Sequence, residues 1–257
     1  MCIRDRLEVN RRLQSIQPVD VVSTFLGAHD FPPDVPRQRY VEIVINEMIP
    51  QVAEQGLAEF CDVYCDDEYY TVEESRRILE AGLAAGLKPK IHTDAYSDIG
   101  GAAMAAELGV ISADHLNYTG RAAMHRLAEA GVIGVVMPAL DFAVQHPRPF
   151  DARAMMAEGM TLALATDLCP ACWVESMQFV MQLACRLYKF SPAEALIAAT
   201  IGGAKALGLE DDRGSLEVGK LADIQIWDIP TFEDVIYRLG SNAVEMVIKR
   251  GRIVFKR

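Results

Sequence analysis

The chain has 257 residues, of which 51% are hydrophobic and 24% are charged, an ordinary balance for a globular protein. Its formal net charge of −11 and its pI near 4.9 argue against a nucleic-acid partner and against an anionic membrane surface. No apolar run reaches the roughly 18 residues of a membrane span, and the first residues lack the hydrophobic core of a signal peptide. Six cysteines in a chain of this length do not suggest a disulfide framework, which favours a reducing cytoplasm.

The start of the chain is unusual. Residues 1–17 are polar and basic, and they lead without transition into the apolar run Val21–His29. This junction resembles a reading frame joined to a protein interior more than a natural beginning. We expect residues 1–17 to be a non-native or disordered lead-in, and we expect further residues of the functional protein to lie upstream.

Strand-like apolar runs alternate with helical patterns along the next part of the chain, which predicts βαβ units and a parallel sheet. We place six strands, at Val21–His29, Phe60–Cys65, Pro89–Asp94, Ile111–Leu116, Ile133–Pro138 and Leu162–Asp167. A closed (β/α)8 barrel has eight strands and needs about 250 residues. We therefore predict an α/β fold with an incomplete TIM-type barrel of about six strands over residues 18–207. Unpaired edges of such a sheet favour association or aggregation, and a homodimer is one form of it.

Capping signals mark the helices between these strands. Thr71–Glu74 and Ser191–Glu194 are capping boxes, in which a hydroxyl and a carboxylate three residues later cap the same turn. They open helices over Ser75–Gly86 and Ala193–Ala199. We predict two further helices, over Gly100–Leu108 and Arg121–Ala130, and each of them ends at a glycine, as helices often do.

The pattern changes after Leu207. Gly214–Asp228 alternates turns with short strands, and Met246–Phe255 has the pattern of a hairpin with its turn at Lys249–Gly251. We predict a small C-terminal β module over residues 208–257, which forms part of a β-sandwich.

Three predicted strands carry, at or near their C-terminal ends, side chains that bind metals or transfer protons, namely His92, His115 and Asp167. Parallel barrel strands carry their chemistry at the C-terminal end, where the loops gather. Two imidazoles and a carboxylate at such ends are the components of a hydrolytic metal site. We predict His92 and Asp167 as metal ligands, His115 as the base beside the attacking water, and Asp167 as a proton carrier as well. The alternatives are a buried structural histidine for His92, an orienting role for His115 and a helix cap for Asp167.

Two neighbouring features belong to the same predicted face. His29 closes the first strand, and we interpret it as a substrate contact, with core packing as the alternative. Cys169–Cys172 has the C-x-x-C spacing and follows Asp167 after a single residue. That spacing alone is weak evidence for redox or zinc chemistry. We interpret the two thiols as part of an active-site loop, with a thiolate ligand or a reversible disulfide as alternatives.

Several segments together resemble one enzyme family. Five barrel segments resemble those of imidazolonepropionases and follow the order in which that family has them. They are Thr24–His29, Glu59–Cys65, Gly86–Asp94, Ser112–Leu116 and Ala163–Asp167. Those that resemble the closing part of the wider amidohydrolase superfamily are Gly214–Asp223 and Val244–Lys249. The resemblance extends from about Val21 to the end of the chain.

The resemblance implies a metal-dependent hydrolase of histidine degradation, acting on a small molecule. Such an enzyme opens the cyclic amide of 4-imidazolone-5-propanoate to give N-formimino-L-glutamate and uses one zinc or iron ion. It implies that His92 and Asp167 hold the metal and that His115 lies beside the attacking water. The substrate contacts that it implies are His29, Cys169, Ala171 and Cys172.

Four departures separate the chain from the family pattern. The His-x-His pair of the first strand, and an upstream arginine and tyrosine that hold substrate, do not occur in this sequence, which indicates truncation. Ala95 stands where an acidic or amide residue is usual, and Cys169, Ala171 and Cys172 stand where an asparagine and a glycine–serine pair are usual. These residues indicate a divergent subgroup or an altered substrate fit. Another amidohydrolase activity (a deaminase or a cyclic-imide hydrolase), an inactive fragment and a binding protein with a degenerate barrel remain open.

Overall fold

A computed structural model describes residues 3–257, which form two compact units. The first unit ends at Val132 and the second begins at Ile133. This boundary lies inside the segment 18–207 that we assigned to the barrel, and the C-terminal β module is part of the second unit. No helix among the described residues is long and apolar enough to cross a membrane.

The first unit contains four parallel strands. They are β1 (Thr24–Ala28), β2 (Phe60–Cys65), β3 (Lys88–Thr93) and β4 (Ser112–His115). Each strand pairs with the next one along the chain, which is the arrangement that successive helical crossovers produce. All six residues of β2 are buried, because this strand has neighbours on both sides and helices over its outer face.

Six helices connect and flank these strands. They are α1 (Ile3–Ile16), α2 (Arg37–Ile43), α3 (Ile49–Glu54), α4 (Val72–Ala84), α5 (Gly101–Leu108) and α6 (Arg121–Glu129), with a π-helical turn at Val44–Met48 between α2 and α3. The predicted capping box of α4 is present: the Glu74 amide donates to Thr71 Oγ1 at 3.2 Å, and the Thr71 amide donates to the Glu74 carboxylate at 3.0 Å. The two bonds thereby give partners to the backbone amides of Thr71 and Glu74, which have no partner within the helix.

The N-terminal segment differs from our expectation. We predicted a disordered or non-native lead-in over residues 1–17, whereas Ile3–Ile16 forms helix α1, and Met1 and Cys2 lie outside the described residues. Leu7 is only 3% exposed, so the helix buries at least one apolar side chain. The Gln14 side chain also bonds the backbone of Val21, as donor to its carbonyl and as acceptor from its amide. Burial and these bonds explain the order of a segment that looked too polar to fold.

The second unit contains two parallel strands and a separate antiparallel sheet. Strands β5 (Ile133–Val136) and β6 (Leu162–Leu164) pair in parallel. The antiparallel sheet consists of β7 (Ile224–Trp227), β8 (Val244–Lys249) and β9 (Arg252–Lys256), in that order. The predicted C-terminal hairpin is therefore confirmed. With β1–β4, the described residues hold six parallel strands, which confirms the α/β class and the predicted number.

The helices of the second unit complete this architecture. They are α7 (Pro138–Ala143), α8 (Ala152–Ala157), α9 (Met177–Leu187), α10 (Pro192–Ile197), α11 (Gly203–Ala206) and α12 (Glu233–Tyr237), with a π-helical turn at Ala198–Gly202. The second predicted capping box is present at α10, since the Glu194 amide donates to Ser191 Oγ and the Ser191 amide donates to the Glu194 carboxylate. Glu194 also pairs with Arg153 at 2.7 Å.

A buried glutamine connects α9 to the segment before β8. Gln182 is 0% exposed, and its amide group donates to the carbonyls of Val235 and Arg238 at 2.7 and 3.1 Å. Its side-chain oxygen accepts from the Gly240 amide at 2.8 Å. A buried amide group is tolerated when its donors and acceptor are all used in this way. The bonds hold the irregular chain around α12 against the helix.

Candidate metal centre

His92 lies at the centre of a cluster of polar side chains in the first unit. It pairs in register with Tyr64 of β2 on one side and with Asp114 of β4 on the other. Asp62 stands two residues before Tyr64, so its side chain leaves β2 on the same face. The Nδ1 atom of His92 lies 3.1 Å from the Asp62 carboxylate and 3.9 Å from Asp114 Oδ2. Ligand-type atoms of His92, Asp62 and Asp114 all lie within 4.8 Å of one another.

The contact with Asp62 determines what His92 can do. In a neutral imidazole, one ring nitrogen carries the proton and the other carries the lone pair. A carboxylate at Nδ1 favours the proton on that nitrogen, which leaves the lone pair on Nε2 and orients the ring. This is the arrangement that metal-binding histidines have in most proteins.

The electrostatics of the cluster favour a cation. Asp62 is 2% exposed, and the side chain of Asp114 is 13% exposed. Burial raises the pKa of Asp114, and the charges of His92 and Lys90 act in the opposite direction. Lys90 stands two residues before His92 on β3 and is itself buried, with its ammonium 5.1 Å from the centre of the Phe60 ring. Two buried carboxylates beside an imidazole are costly unless a positive charge accompanies them.

Two more imidazoles lie near His92. The ring centre of His115, at the end of β4, is 5.3 Å from that of His92, and the ring centre of His29, after β1, is 6.4 Å away. The ring centre of Tyr64 lies 5.3 Å from that of His29 and 6.3 Å from that of His115. The structure thus brings together the three predicted site residues of this unit at the C-terminal ends of their strands. Their roles stay predictions.

The backbone bends sharply where β3 and β4 end. Asp94, His115 and Leu116 have φ values of +53°, +79° and +61°, in the left-handed region that side chains other than glycine seldom adopt. Two hydrogen bonds fasten the bends together: the Leu116 amide donates to the Thr93 carbonyl at 3.2 Å, and the Tyr118 amide donates to the Asp94 carbonyl at 2.8 Å. These bonds hold His115 in a conformation that an isolated chain would rarely visit.

Asp94 is the first residue after β3 and is itself part of the bend. It is 0% exposed and accepts hydrogen bonds from the hydroxyls of Thr93 at 2.9 Å and Thr119 at 2.7 Å. Burial raises its pKa to about 6, and the two hydroxyls limit the rise. The next residue, Ala95, is also buried and has no acid–base group. Asp94 therefore acts as an acceptor that fixes the loop between β3 and α5.

The other predicted residues belong to the second unit. Asp167 follows β6 after two residues and has a φ of +46°. Cys169 and Cys172 exchange two backbone hydrogen bonds, each amide donating to the other residue's carbonyl at 3.0 Å. Cys172 is 2% exposed, and Ala171 at the tip of the turn is exposed. Burial raises the pKa of the Cys172 thiol, and the neighbouring Cys169 and Asp167 raise it further.

Asp62, Asp114 and Tyr64 were missed in the sequence. Asp62 is the only charged residue in the buried strand Phe60–Cys65, and Asp114 directly precedes His115. An acidic residue inside an otherwise apolar run is a signal in itself, since it is stable there only with a partner. The partner, however, depends on the register between β2 and β3, which the sequence does not reveal.

Comparison with known proteins places this fold in a family. The profile described as the amidohydrolase family matches residues 46–254. The imidazolonepropionase of Geobacillus thermodenitrificans is 48% identical over 252 residues, which cover 97% of this chain and 59% of that protein. The imidazolonepropionase of Alkaliphilus metalliredigens is 44% identical over 256 residues, which cover 97% of this chain and 60% of that protein. The chain thus spans about three fifths of the length of these relatives.

Solved structures show the same fold at lower identity. An adenosine deaminase from Xanthomonas campestris with bound zinc superposes with a TM-score of 0.76 at 23% identity, covering 96% of this chain and 63% of that one. A mutant atrazine chlorohydrolase from Arthrobacter aurescens, complexed with zinc and atraton, superposes with a TM-score of 0.72 at 18% identity, covering 99% and 64%. Because the family profile spans residues 46–254, which is most of the sequence, this chain belongs to the amidohydrolase family.

Proposed function

We propose that this chain is part of a metal-dependent hydrolase that opens the cyclic amide of 4-imidazolone-5-propanoate to give N-formimino-L-glutamate, in histidine degradation. One observation carries the proposal: His92, with Asp62 at its Nδ1 and the His115 ring 5.3 Å away, lies at the C-terminal ends of parallel strands. The identity of 44–48% to proteins named imidazolonepropionase supports the choice of substrate.

The donor set fits a divalent metal, and we infer zinc or iron. Imidazole nitrogen and carboxylate oxygen are ligands that both metals accept. Asp62 at Nδ1 leaves Nε2 of His92 to bind the ion, and the buried carboxylates of Asp62 and Asp114 supply compensating negative charge. We propose Asp167 as the second ligand. Three protein ligands are usual at a catalytic zinc site, so we expect this chain alone to hold the ion weakly.

The proposed reaction divides the work among this chain's residues. When bound, the metal polarises the ring carbonyl and makes water acidic near neutral pH. His115 takes a proton from the attacking water, because hydrolysis needs a base near that water and the His115 ring lies 5.3 Å from that of His92. Water adds to the carbonyl carbon, the ring C–N bond breaks, and the proton that His115 took from the water is passed to the departing nitrogen, with Asp167 as its proposed carrier.

The substrate contacts complete the proposal. We propose that His29 contacts the ring or the carboxylate of the substrate, and that the turn Cys169–Cys172, including Ala171, provides side-chain and backbone contacts. The net charge of −11 disfavours nucleic acid and anionic membranes as partners. We propose a cytoplasmic protein that associates as a homodimer.

The test combines metal binding with product analysis. The chain, and the longest continuous reading frame that contains it, are loaded with Zn2+ or Fe2+, and N-formimino-L-glutamate is measured by mass spectrometry. His92→Ala should lower both metal affinity and turnover, whereas His115→Ala should lower turnover and retain the metal. His125→Ala is the matched control, since this histidine lies on α6 with 57% of its side chain exposed. Unchanged metal affinity in His92→Ala would overturn the proposal.

A second amidohydrolase activity is favoured by one observation. Ala95 is 2% exposed and Cys169 and Cys172 form a tight turn, where the family pattern has polar or small residues. Such changes affect residues near the predicted metal ligands in sequence and leave the ligands themselves in place. A panel of cyclic imides and amino-substituted heterocycles separates the two: ring-opened product from an imide, or released ammonia, would assign the chain to a cyclic-imide hydrolase or to a deaminase. Stoichiometric binding without turnover of any compound would indicate a binding protein.

A further inference from the structure

We propose that Cys169 and Cys172 form a reversible dithiol–disulfide site that exchanges with low-molecular-weight disulfides. The proposal concerns a covalent modification of the turn after Asp167 and does not depend on the hydrolase activity.

The backbone places the two cysteines opposite each other. Each amide donates to the carbonyl of the other residue at 3.0 Å, with Pro170 and Ala171 forming the turn between them. Residues that exchange both bonds in an antiparallel pair have Cα atoms about 5.5 Å apart and side chains on the same face. Disulfides have Cα separations of roughly 4.4–6.8 Å, so the pair can be bridged without rearranging the fold.

The same geometry favours a reversible bond. Cβ atoms of a hydrogen-bonded pair lie roughly 5 Å apart, whereas a relaxed disulfide has Cβ atoms about 3.8 Å apart. Closure must therefore tighten the turn. Strained and exposed disulfides are reduced more readily than those that stabilise secreted proteins, so the bridge should open again under reducing conditions.

Exposure sets the order of the two exchange steps. Cys169 is half-buried beside the exposed Pro170, whereas Cys172 is 2% exposed. The Cys169 thiolate attacks one sulfur of the incoming disulfide and releases one low-molecular-weight thiol. The Cys172 thiolate then attacks the Cys169 sulfur and releases the second thiol. Overall, one external disulfide is reduced to two thiols, and the protein dithiol is oxidised to one disulfide.

The other described cysteines lack this arrangement. Cys61 and Cys65 are buried in β2, and four residues of strand separate them by about 13 Å, beyond the reach of a disulfide. Cys185 lies on helix α9, outside the turn that contains Cys169 and Cys172. The pair Cys61 and Cys65 therefore provides an internal control of equal cysteine number.

The test is peptide mapping of the whole chain after exposure to oxidised glutathione. The reduced protein is incubated with excess oxidised glutathione, remaining thiols are alkylated in denaturant, and the chain is cut with a glutamate-specific protease. Cleavage after Glu158 and Glu175 releases peptide 159–175, which contains Cys169 and Cys172 alone, and cleavage after Glu59 and Glu68 releases the control peptide 60–68. We expect peptide 159–175 to lose two hydrogen atoms and to regain them with dithiothreitol, while peptide 60–68 is alkylated twice.

Two variants identify the individual steps. In Cys172→Ser the second step is lost, and a stable glutathione adduct should accumulate on Cys169. In Cys169→Ser the buried Cys172 should react at least tenfold more slowly than Cys169 does in the first variant. Peptide 159–175 that stays fully alkylated, or a glutathione adduct that persists on Cys169 in the unaltered chain, would overturn the proposal.

Discussion

Gly101→Ala is expected to destabilise the first unit because α5 begins in close contact with the end of β3. A Cβ atom at position 101 would lie 2.0 Å from Thr93 Oγ1, 3.2 Å from Thr93 Cβ and 3.0 Å from Cys65 Sγ. Favourable contacts between such atoms occur at about 3.5–4.0 Å. The added methyl group therefore requires a shift of more than an ångström in fully packed surroundings.

The size of the effect follows from three contributions. Overpacking a core site costs about 1–3 kcal/mol. Displacing the Thr93 hydroxyl breaks its bond to the buried Asp94 carboxylate, and an unsatisfied buried acceptor costs about 1–3 kcal/mol. Alanine gains about 1 kcal/mol over glycine as a helix residue. The sum is a loss of about 3 kcal/mol in the free energy of unfolding.

Urea denaturation followed by far-UV circular dichroism measures this loss. Tryptophan fluorescence is unsuitable, since Trp173 and Trp227 both belong to the second unit. Gly203→Ala is the matched control: this helix glycine has a φ of −61°, and an added Cβ would meet its nearest atom at 4.0 Å. It should be neutral or stabilising by up to about 1 kcal/mol. If Gly101→Ala were as stable as the control, the close approach of α5 to β3 would be wrong.

Two further predictions concern the charged groups. Asp62→Asn should lower the affinity for Zn2+ about 10–100-fold in isothermal titration, because the carboxylate that orients His92 is replaced by a neutral amide; an unchanged affinity with an intact fold would contradict this role. Bonds from Arg153 and from the Ser191 amide lower the pKa of Glu194 to about 2 from its ordinary value near 4.5. Its stabilising effect is therefore present above about pH 4.5 and lost as the pH falls through about 2. Glu194→Gln should unfold more easily than the original chain at neutral pH and equally easily below about pH 2, and a stability difference independent of pH would refute the assignment.

The elements that the sequence predicted best are those with strong local signals. Strand Phe60–Cys65 has the predicted bounds because its apolar run is sharply delimited, and both capping boxes are present because each depends on residues only three apart. Helix α1 was missed, since its polar composition conceals the burial of Leu7. Local rules do not anticipate burial that depends on distant parts of the chain.

The candidate site was predictable only in part for the same reason. His92 and His115 were identified because each ends a hydrophobic run, and the position of strand ends in a parallel fold brings them close. Asp62 and Asp114 contact His92 through the pairing of β2, β3 and β4, which is a property of register rather than of sequence spacing. The identity of an orienting carboxylate therefore requires the three-dimensional arrangement of the strands.

The positive φ angles of residues at or after the strand ends lower the stability of the fold, whereas the proposed reaction needs some of the same side chains. Asp94, His115, Leu116 and Asp167 all have positive φ, and each costs about 1–2 kcal/mol relative to glycine. A screen for thermal tolerance would consequently enrich glycine or asparagine at these positions. A screen for the proposed hydrolysis would instead retain the His115 imidazole and the Asp167 carboxylate. Protein engineering guided by melting temperature alone would thus remove groups to which we assign roles in the proposed reaction.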